Sequence, residues 1–231
     1  MATPAPEPVQ TPRPGPVPSF STLTISQSIS RFDLPAREFI SRLKSQTPPT
    51  SPSPVLDGVA VGALVFKCPR SGGDSDQAQP IRVLLIQRAK TDSLPDKWEI
   101  PSGVVSNNPE KDATITQAVA RELWEETGFM AKRLVRLVVG PDGQEGFVFS
   151  NSTKTRVFRR YVFEVEVDDL DELKLNPWEH QDYVWASEEE ILNLRADGDE
   201  EGKEKLLELT SEHLGHLILE AFRLRKEAVV E

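Results

Sequence analysis

Apolar residues recur at strand-like spacing through much of the chain from residue 58 to residue 186, which predicts a sheet-rich core. The β-branched runs at 58–67 and 81–88 predict two strands, and the polar segment between them predicts a long hairpin loop. The short segment "KWEIP", which ends at Pro101, predicts a further strand. Three later strands are predicted at "LVRLVVG" (134–140), "TRVFRRYVFEVEV" (155–167) and "HQDYVWA" (180–186).

One helix is predicted in the middle of this pattern. Its apolar residues recur every three or four positions from about Asp112 to Thr127. Gly128 is the expected left-handed residue that ends the helix, and Phe129 supplies the hydrophobic contact that accompanies such an end. Strands before, between and after one central helix predict an α/β sandwich and not a doubly wound sheet.

Two more helices are predicted after the last strand. Residues 187–194 read "SEEEILNL", a short helix with a serine positioned to cap it. Residues 203–227 carry apolar residues at helical spacing and predict a longer amphipathic helix. The chain therefore ends in helices.

The first 54 residues differ in composition from the rest. They hold 12 of the 19 prolines and carry a net charge of +2, against −12 for residues 55–231. Proline at nearly every second position predicts a disordered or polyproline-like tail over residues 1–20, with a PxxP ligand as a less common alternative. A short amphipathic helix is predicted after Pro35, at about residues 35–44, packed on the main domain. Residues 45–54 predict a linker, and residues 55–231 a single folded domain.

Composition excludes several classes of protein. The single cysteine, Cys68, excludes an intramolecular disulfide framework and a cysteine-rich zinc site. No apolar run approaches the roughly 20 residues that span a bilayer, and the N-terminus does not resemble a secretory signal. We therefore expect a soluble protein that is not secreted, with a cytoplasmic location and a nuclear one not excluded. The net charge of −10 argues against a stable nucleic-acid or membrane partner.

The candidate chemistry lies on the central helix. At about 100° per residue, Glu122 and Glu126 fall in line with the apolar stripe, and Glu125 flanks it. Glu122 and Glu126 repel each other at i,i+4, and the helix dipole disfavours acids in the last turn. A divalent cation with oxygen ligands compensates such a cluster most strongly. The alternative is an ordinary charged helix surface, since glutamate and arginine are good helix formers.

The segment "RELWEETGF" (121–129) resembles the second half of the Nudix box, G-x5-E-x7-R-E-U-x-E-E-x-G-U, where U is a bulky apolar residue. Every fixed or restricted position of that half is met, and "WEIPSG" before the helix resembles the strand and turn that lead into the box. The resemblance covers roughly residues 55–194. It implies the Nudix fold, an α/β/α sandwich with a mixed central β-sheet and the Nudix loop–helix, followed by a C-terminal helix.

The first half of the box departs from the family pattern. Ala113 stands where the family has glutamate, and Asn107 where it has glycine. The turn glycine, Gly103, is separated from that position by an apparent insertion of four residues. Asp112 or Glu110 is expected to stand in for the missing acid. These departures affect the geometry of the loop more than the chemistry of the later glutamates.

The resemblance implies a set of site residues. Glu122, Glu125 and Glu126 are predicted to hold Mg²⁺ or Mn²⁺, with a backbone carbonyl at Gly103 as a further metal contact, and Arg121 is predicted to orient the carboxylates. No organic cofactor is predicted. Divalent ions neutralise phosphate oxygens and activate water, which reconciles an acidic protein with a phosphate substrate.

The general base is predicted either at Glu122 or outside the box. Glu179, in "PWEHQDYVWA", is the candidate for a base or a further metal ligand, with a solvated loop acid as the alternative. His180 is expected to be structural or to contact the substrate. His213 and His216 are expected to belong to amphipathic packing. Among the aromatic residues, Phe147 is the candidate for stacking on a nucleobase, whereas the tryptophans considered as alternatives are expected mostly in the core; these are Trp98, Trp178 and Trp185.

These expectations define the predicted function. The chain is predicted to be a metal-dependent hydrolase that cleaves a pyrophosphate bond in a nucleoside diphosphate linked to another moiety, with a non-nucleotide pyrophosphate left open. The alternative is a catalytically weak or inactive Nudix-fold module that binds a nucleotide or regulates a partner. A third interpretation is a proline-rich scaffold, for which the protein partners of residues 1–20 are unknown.

Overall fold

The structure is a computed structural model that describes residues 17–46, 55–68, 80–141, 143–171, 173–198 and 203–230. The predicted tail and linker fall mostly outside these residues, as does most of the predicted hairpin loop. No helix in the described part is both long and apolar enough to cross a membrane. The predicted cytoplasmic location stays a prediction.

The described strands form one mixed nine-stranded sheet and a separate hairpin. The nine strands are β1 (Thr24–Ile25), β2 (Gly58–Lys67), β3 (Arg82–Arg88), β4 (Trp98–Glu99), β5 (Ser102–Val104), β6 (Ala131–Val138), β7 (Phe147–Ser150), β8 (Val157–Val167) and β9 (His180–Ser187). The main path runs β1-β6-β8-β2-β3-β4, while β5 pairs with β2, β7 with β8, and β9 with β3. The hairpin is β10 (Arg195–Asp197) with β11 (Glu204–Leu206).

Helices cover both faces of this sheet. They are α1 (Ala36–Gln46), α2 (Ile115–Thr127), α3 (Glu188–Asn193) and α4 (Glu212–Val230), with a 3-10 helix at Gln27–Phe32. Strand β2 shows the layering, because Val61 and Ala63 join the core with α1 and α2, whereas Leu64 and Phe66 join the core with α4. A strand buried on both faces reads as a continuous apolar run, which is why its bounds were predicted correctly. The predicted α/β/α sandwich with a mixed sheet is confirmed.

Part of the predicted N-terminal extension contributes to the core. Phe32 is fully buried, and its ring lies 5.1 Å from those of Tyr161 and Phe163. The carbonyl of Leu34 accepts a hydrogen bond from the N–H of Ile115, at the start of α2. The division into an extension and a domain at residue 55 stays a prediction, although the segment before it packs on that domain.

The start of the predicted C-terminal helix is wrong. Residues 203–211 are not helical, because they form β11 and then run beside Trp98. The indole N–H of Trp98 donates to the carbonyl of Leu206 at 3.0 Å, and its backbone N–H donates to the carbonyl of Glu208. Helix α4 begins at Glu212, where the Ser211 hydroxyl accepts from the N–H of Leu214.

Candidate active site

Helix α2 is fixed at both ends by local contacts. The side chain of Thr114 accepts a hydrogen bond from the N–H of Gln117 and caps the first turn. Gly128 ends the helix with φ of 74°, a left-handed conformation that favours glycine, and its N–H donates to the carbonyl of Trp124. The helix was predicted to begin three residues earlier, at Asp112. Its apolar side faces the sheet, and two of its acidic residues, Glu122 and Glu126, lie against β5.

Arg121 is the centre of an ion-pair network. Its side chain is 1% exposed, and its guanidinium donates to both oxygens of Asp112, at 2.5 and 2.7 Å. It also lies 2.8 Å from a carboxylate oxygen of Glu122 and 2.8 Å from one of Glu125. Although burial alone would lower the pKa of Arg121, the carboxylates of Asp112 and Glu122 raise it, so the guanidinium stays charged. The network supports the predicted role of Arg121, which is to orient the carboxylates.

Asp112, one of the two acids expected to stand in for the missing glutamate of the box, pairs with Arg121. Its side chain is fully buried, and it also accepts the N–H of Ser106 at 2.6 Å, which ties the enlarged loop to α2. Glu110, the other expected substitute, is exposed. The ion pair is therefore made from one position before Ala113, which keeps a carboxylate on Arg121 in spite of the altered loop.

Gly103 lies directly against Glu122. A Cβ added to Gly103 would lie 2.3 Å from the Glu122 carboxylate, a separation that real Cβ atoms essentially never show. The Glu122 side chain is 12% exposed. Burial raises its pKa to about 7 in the metal-free protein; Arg121 opposes this shift and Glu125 adds to it. Only glycine at position 103 lets this carboxylate approach the backbone of β5.

Glu126 is the most enclosed acid of the helix. It is 5% exposed, and its carboxylate accepts the N–H of Ser102 at 2.8 Å. Burial raises its pKa well above the ordinary value, and the carboxylates of Glu122, Glu99 and Glu179 raise it further. A cation is the natural counterpart of such a group.

The segment before β9 is fastened to the end of α2. The N–H of Lys174 donates to the carbonyl of Thr127 at 2.8 Å, and the N–H of Asn176 donates to the carbonyl of Glu126 at 3.1 Å. Both bonds use carbonyls that a helix end leaves unpaired. This junction brings Glu179 and His180 beside Glu126: one potential ligand atom from each of the three lies within 4.8 Å of the others.

A second buried charge cluster lies under the first. Glu99, 2% exposed on β4, pairs with Arg88. Although burial alone would raise the pKa of Glu99, His180 and the cations of Arg88 and Arg160 hold it below its ordinary value. Burial lowers the pKa of Arg160, on β8, whereas the carboxylates of Glu99, Glu126 and Glu122 act to raise it, so its guanidinium is within electrostatic range of the acidic cluster.

Aromatic side chains extend from Arg160 along the same face of the sheet. Phe147 and Phe149 lie on β7, which pairs with β8, and Phe147 is directly opposite Arg160. The guanidinium of Arg160 lies 4.8 Å from the ring centroid of Phe149 and 5.8 Å from that of Phe147. The segment containing Phe147 forms a strand that was not among those predicted from the sequence. His213, on α4, lies 4.5 Å from the Phe147 ring.

Comparison with protein families decides the relationship of this chain to known proteins. The model of the NUDIX domain matches residues 58–209, which is more than half of the chain. The chain belongs to the Nudix family. Its box is the loop and helix α2, and family membership supports a pyrophosphohydrolase-type activity and the use of divalent metal ions.

Solved structures give fold likenesses only. A MutT protein from Methanosarcina mazei Go1 is 23% identical, with a TM-score of 0.49 and coverage of 73% of this chain and 94% of that one. A C. elegans Ap4A hydrolase, in a binary complex, is 19% identical, with a TM-score of 0.48 and coverage of 73% and 97%. The NUDIX domain of Shewanella oneidensis NrtR, complexed with ADP ribose, is 14% identical, with a TM-score of 0.47 and coverage of 81% and 97%. No curated protein sequence matches the chain.

The residues predicted to form the Nudix site are brought together where α2 lies against β5 and the segment before β9. Glu122 and Glu125 share Arg121, and Gly103 adjoins Glu122. Glu126 and Glu179 lie near each other. Their roles stay predictions, although the donor set fits a hard divalent ion, because it consists of clustered carboxylates and includes Glu126, which is buried near Glu122, Glu99 and Glu179.

Sequence reasoning missed Glu99 and Arg160. Glu99 stood in a predicted strand without another acid at helical spacing, and Arg160 stood in an alternating strand where a polar residue usually faces water. An arginine that pairs across strands with a phenylalanine gives no signal until the register of β7 and β8 is known. Among the tryptophans, Trp98 is in the core and Trp185 is partly buried against it, but Trp178 is 57% exposed beside Glu179.

Proposed function

We propose that the chain is a metal-dependent Nudix pyrophosphohydrolase that cleaves the pyrophosphate bond of a nucleoside diphosphate linked to another moiety. The observation that carries this proposal is the convergence of the buried carboxylates of Glu126, on α2, and Glu99, on β4, with the exposed carboxylate of Glu179, in the segment before β9. Carboxylates on an ordinary helix surface would point to water, and burial would not raise their pKa values as it does for Glu122 and Glu126. The proposed ligands of Mg²⁺ or Mn²⁺ are Glu122, Glu125, Glu126, Glu179 and the carbonyl of Gly103.

The bound ions would supply neutralisation of the phosphate oxygens and a more acidic water molecule. The protein groups do the rest. Arg121 holds Glu122 and Glu125 in fixed positions through paired hydrogen bonds, which avoids reorganisation when the substrate binds. Glu122 and Glu179 are the two candidates for accepting the proton of the attacking water, the first nearly buried and the second exposed.

Arg160 is the proposed contact for substrate phosphate oxygens. Its Nε is buried, and no described residue accepts a hydrogen bond from it. A guanidinium beside the acidic cluster provides a bidentate donor for phosphate oxygens. The rings of Phe147 and Phe149, whose centroids lie 5.8 and 4.8 Å from this guanidinium, support a nucleoside as the neighbouring group.

The alternative, a Nudix-fold binding module without turnover, was motivated by Ala113 and the enlarged loop. Asp112 weakens the case for this alternative, because it forms a buried ion pair with Arg121 in spite of Ala113 and the enlarged loop. A module that only bound a ligand would also have no need for repelling carboxylates around Glu126. The proposed partner is a small-molecule pyrophosphate, and partners of the proline-rich tail stay a prediction.

A substrate panel tests the proposal. The release of phosphate or of a nucleoside monophosphate is measured for ADP-ribose, NADH, diadenosine polyphosphates, nucleotide sugars, coenzyme A and nucleoside triphosphates, each with Mg²⁺, Mn²⁺ or EDTA. The proposal predicts cleavage that needs a divalent ion and is lost in Glu126→Gln. If no substrate of the panel is cleaved and Mg²⁺ still raises the melting temperature, the result would favour the binding module.

A further inference from the structure

His180 is a buried imidazole without a conventional partner. Its side chain is 1% exposed, yet neither ring nitrogen has a hydrogen-bond partner among the described residues. Buried polar groups are nearly always hydrogen-bonded, because an unpaired one loses its hydrogen bonds to water without replacement. An imidazole at this depth without a hydrogen bond from the described residues therefore calls for a further partner.

The surroundings of His180 are acidic. A ring nitrogen, a carboxylate oxygen of Glu126 and one of Glu179 all lie within 4.8 Å of one another. The Nε2 atom also lies 3.5 Å from a carboxylate oxygen of Glu99, too far for a good hydrogen bond. Three mutually close atoms of this kind match the spacing of ligands around a single ion, with Glu179 at the solvent-exposed side.

The backbone holds His180 in this position. Its N–H donates to the carbonyl of Asn176 at 2.8 Å, and Asn176 is itself bonded to Glu126. The carbonyl of the preceding residue, Glu179, accepts the N–H of Ala89 at 2.8 Å. His180 also begins β9, opposite Arg88 of β3. The imidazole is thus presented by paired strands and a helix end, which gives the rigid placement that a metal ligand requires.

We propose that His180 is a nitrogen ligand of the metal centre, together with Glu126 and Glu179. The proposal rests on the metal-dependent function proposed above and makes it more specific. Imidazole suits first-row transition ions better than Mg²⁺, whereas carboxylates alone suit Mg²⁺ well. The centre therefore prefers a transition ion such as Mn²⁺ to Mg²⁺ more strongly than an all-oxygen site would.

Electron spin-echo spectroscopy of bound Mn²⁺ tests this assignment directly, because a coordinated imidazole nitrogen modulates the echo. The chain has three histidines. The double variant His213→Gln/His216→Gln therefore leaves His180 as the sole imidazole. We expect nitrogen modulation in the parent and in this double variant, and its loss in His180→Gln. The double variant keeps the test decisive if His180→Gln fails to fold.

Calorimetric titration supplies a second readout. In His180→Gln, the affinity for Mn²⁺ is expected to fall roughly 10-fold or more, with a smaller change for Mg²⁺. Mn²⁺ that binds without nitrogen modulation, or modulation that survives in folded His180→Gln, would overturn the assignment of His180 and leave the proposed function standing. A parent protein that binds no Mn²⁺ at millimolar concentration would overturn both.

Discussion

At the scale of single residues, the proposed site depends on a few charged side chains whose positions are fixed by contacts with their neighbours. Arg160 is a cation within electrostatic range of the acidic cluster, and no described residue accepts a hydrogen bond from its Nε atom. It also contacts two phenylalanine rings, so its side chain is held in place before any substrate arrives. Such a group contributes to binding at little further entropic cost.

Replacement of Arg160 by Gln is expected to lower kcat/KM about 10- to 100-fold, since hydrogen bonds to charged groups contribute about 1.5 to 3 kcal/mol. Binding of Mn²⁺ should persist, because the ligands are elsewhere. Steady-state kinetics on the best substrate of the panel measures the effect. Arg156→Gln, an equal charge change at an exposed position, is the control. Equal kinetics in the two variants would remove Arg160 from the site.

Gly103→Ala tests the close approach of β5 to Glu122. The new methyl group would overlap the carboxylate at 2.3 Å, so Glu122 must move. Misplacement by about 1 Å can cost about 100-fold in rate, and we expect a loss of kcat of that order. Gly215→Ala, on α4, meets only a leucine side chain at 3.2 Å and serves as the control. Full activity in Gly103→Ala would show that the position of Glu122 is not critical.

At the scale of elements, the loop and α2 act as one unit through Asp112 and Arg121. Asp112 receives both the guanidinium and the N–H of Ser106, so it joins the loop to the helix. The sequence narrowed the substitute acid to Asp112 or Glu110 but could not choose between them. The choice depends on how the inserted residues fold, and the spacing of the box residues does not predict that conformation.

Asp112→Asn is expected to destabilise the protein by about 3 kcal/mol, the lower end of the range for a broken buried ion pair, because Arg121 retains two other acids. Glu110→Gln, which changes an exposed acid in the same loop, should stay within about 0.5 kcal/mol of the parent. Denaturant unfolding of both variants gives the comparison. A larger loss in Glu110→Gln than in Asp112→Asn would reverse the assignment.

Elements with a strong local pattern were predicted well, and those that depend on distant partners were not. The bounds of β2 and the capping box of α3 were readable because burial on both faces and capping chemistry are local. The strand β7 was missed because it is short and is defined by its pairing with β8. The first residues of the predicted C-terminal helix instead run beside Trp98, which is more than 100 positions earlier in the sequence.

At the scale of the whole molecule, the net charge of −10 is compatible with an anionic pyrophosphate substrate, because divalent ions at the clustered carboxylates would neutralise the phosphate oxygens. The carboxylates of the proposed site come from separate segments of the sequence. The resemblance to the Nudix box identified those on α2. It also singled out Glu179, whereas His180 and Arg160 gained their significance only from burial and register. Residues 29–39 gave no sign in the sequence of how deeply they enter the core.

The metal-free protein should lose stability as pH rises. The folded pKa of Glu122, about 7, lies above the ordinary value of 4.5, and that of Glu126 is raised too. Their stabilising protonation is complete below pH 4.5 and is lost as pH rises through about 7, a change on the order of 3 kcal/mol for Glu122. In EDTA, the melting temperature should be lower at pH 8 than at pH 5.5.

Glu126→Gln provides the matched variant for this pH series. It removes one repelling charge near a helix C-terminus, so its metal-free stability should equal or exceed that of the parent, with a difference that grows as pH rises. Thermal unfolding in EDTA across the range gives both curves. A parent that becomes more stable between pH 5.5 and pH 8, or a variant that unfolds without metal, would contradict the account of the buried acids.

The central claim is that the carboxylates around Glu126 hold divalent ions. Calorimetric titration of Mg²⁺ and Mn²⁺ into the parent, Glu126→Gln and Glu110→Gln tests it most directly, because no substrate needs to be known. The account predicts saturable binding in the parent and in Glu110→Gln, and its loss in folded Glu126→Gln. Equal binding in all three proteins would contradict the claim and place the metal elsewhere.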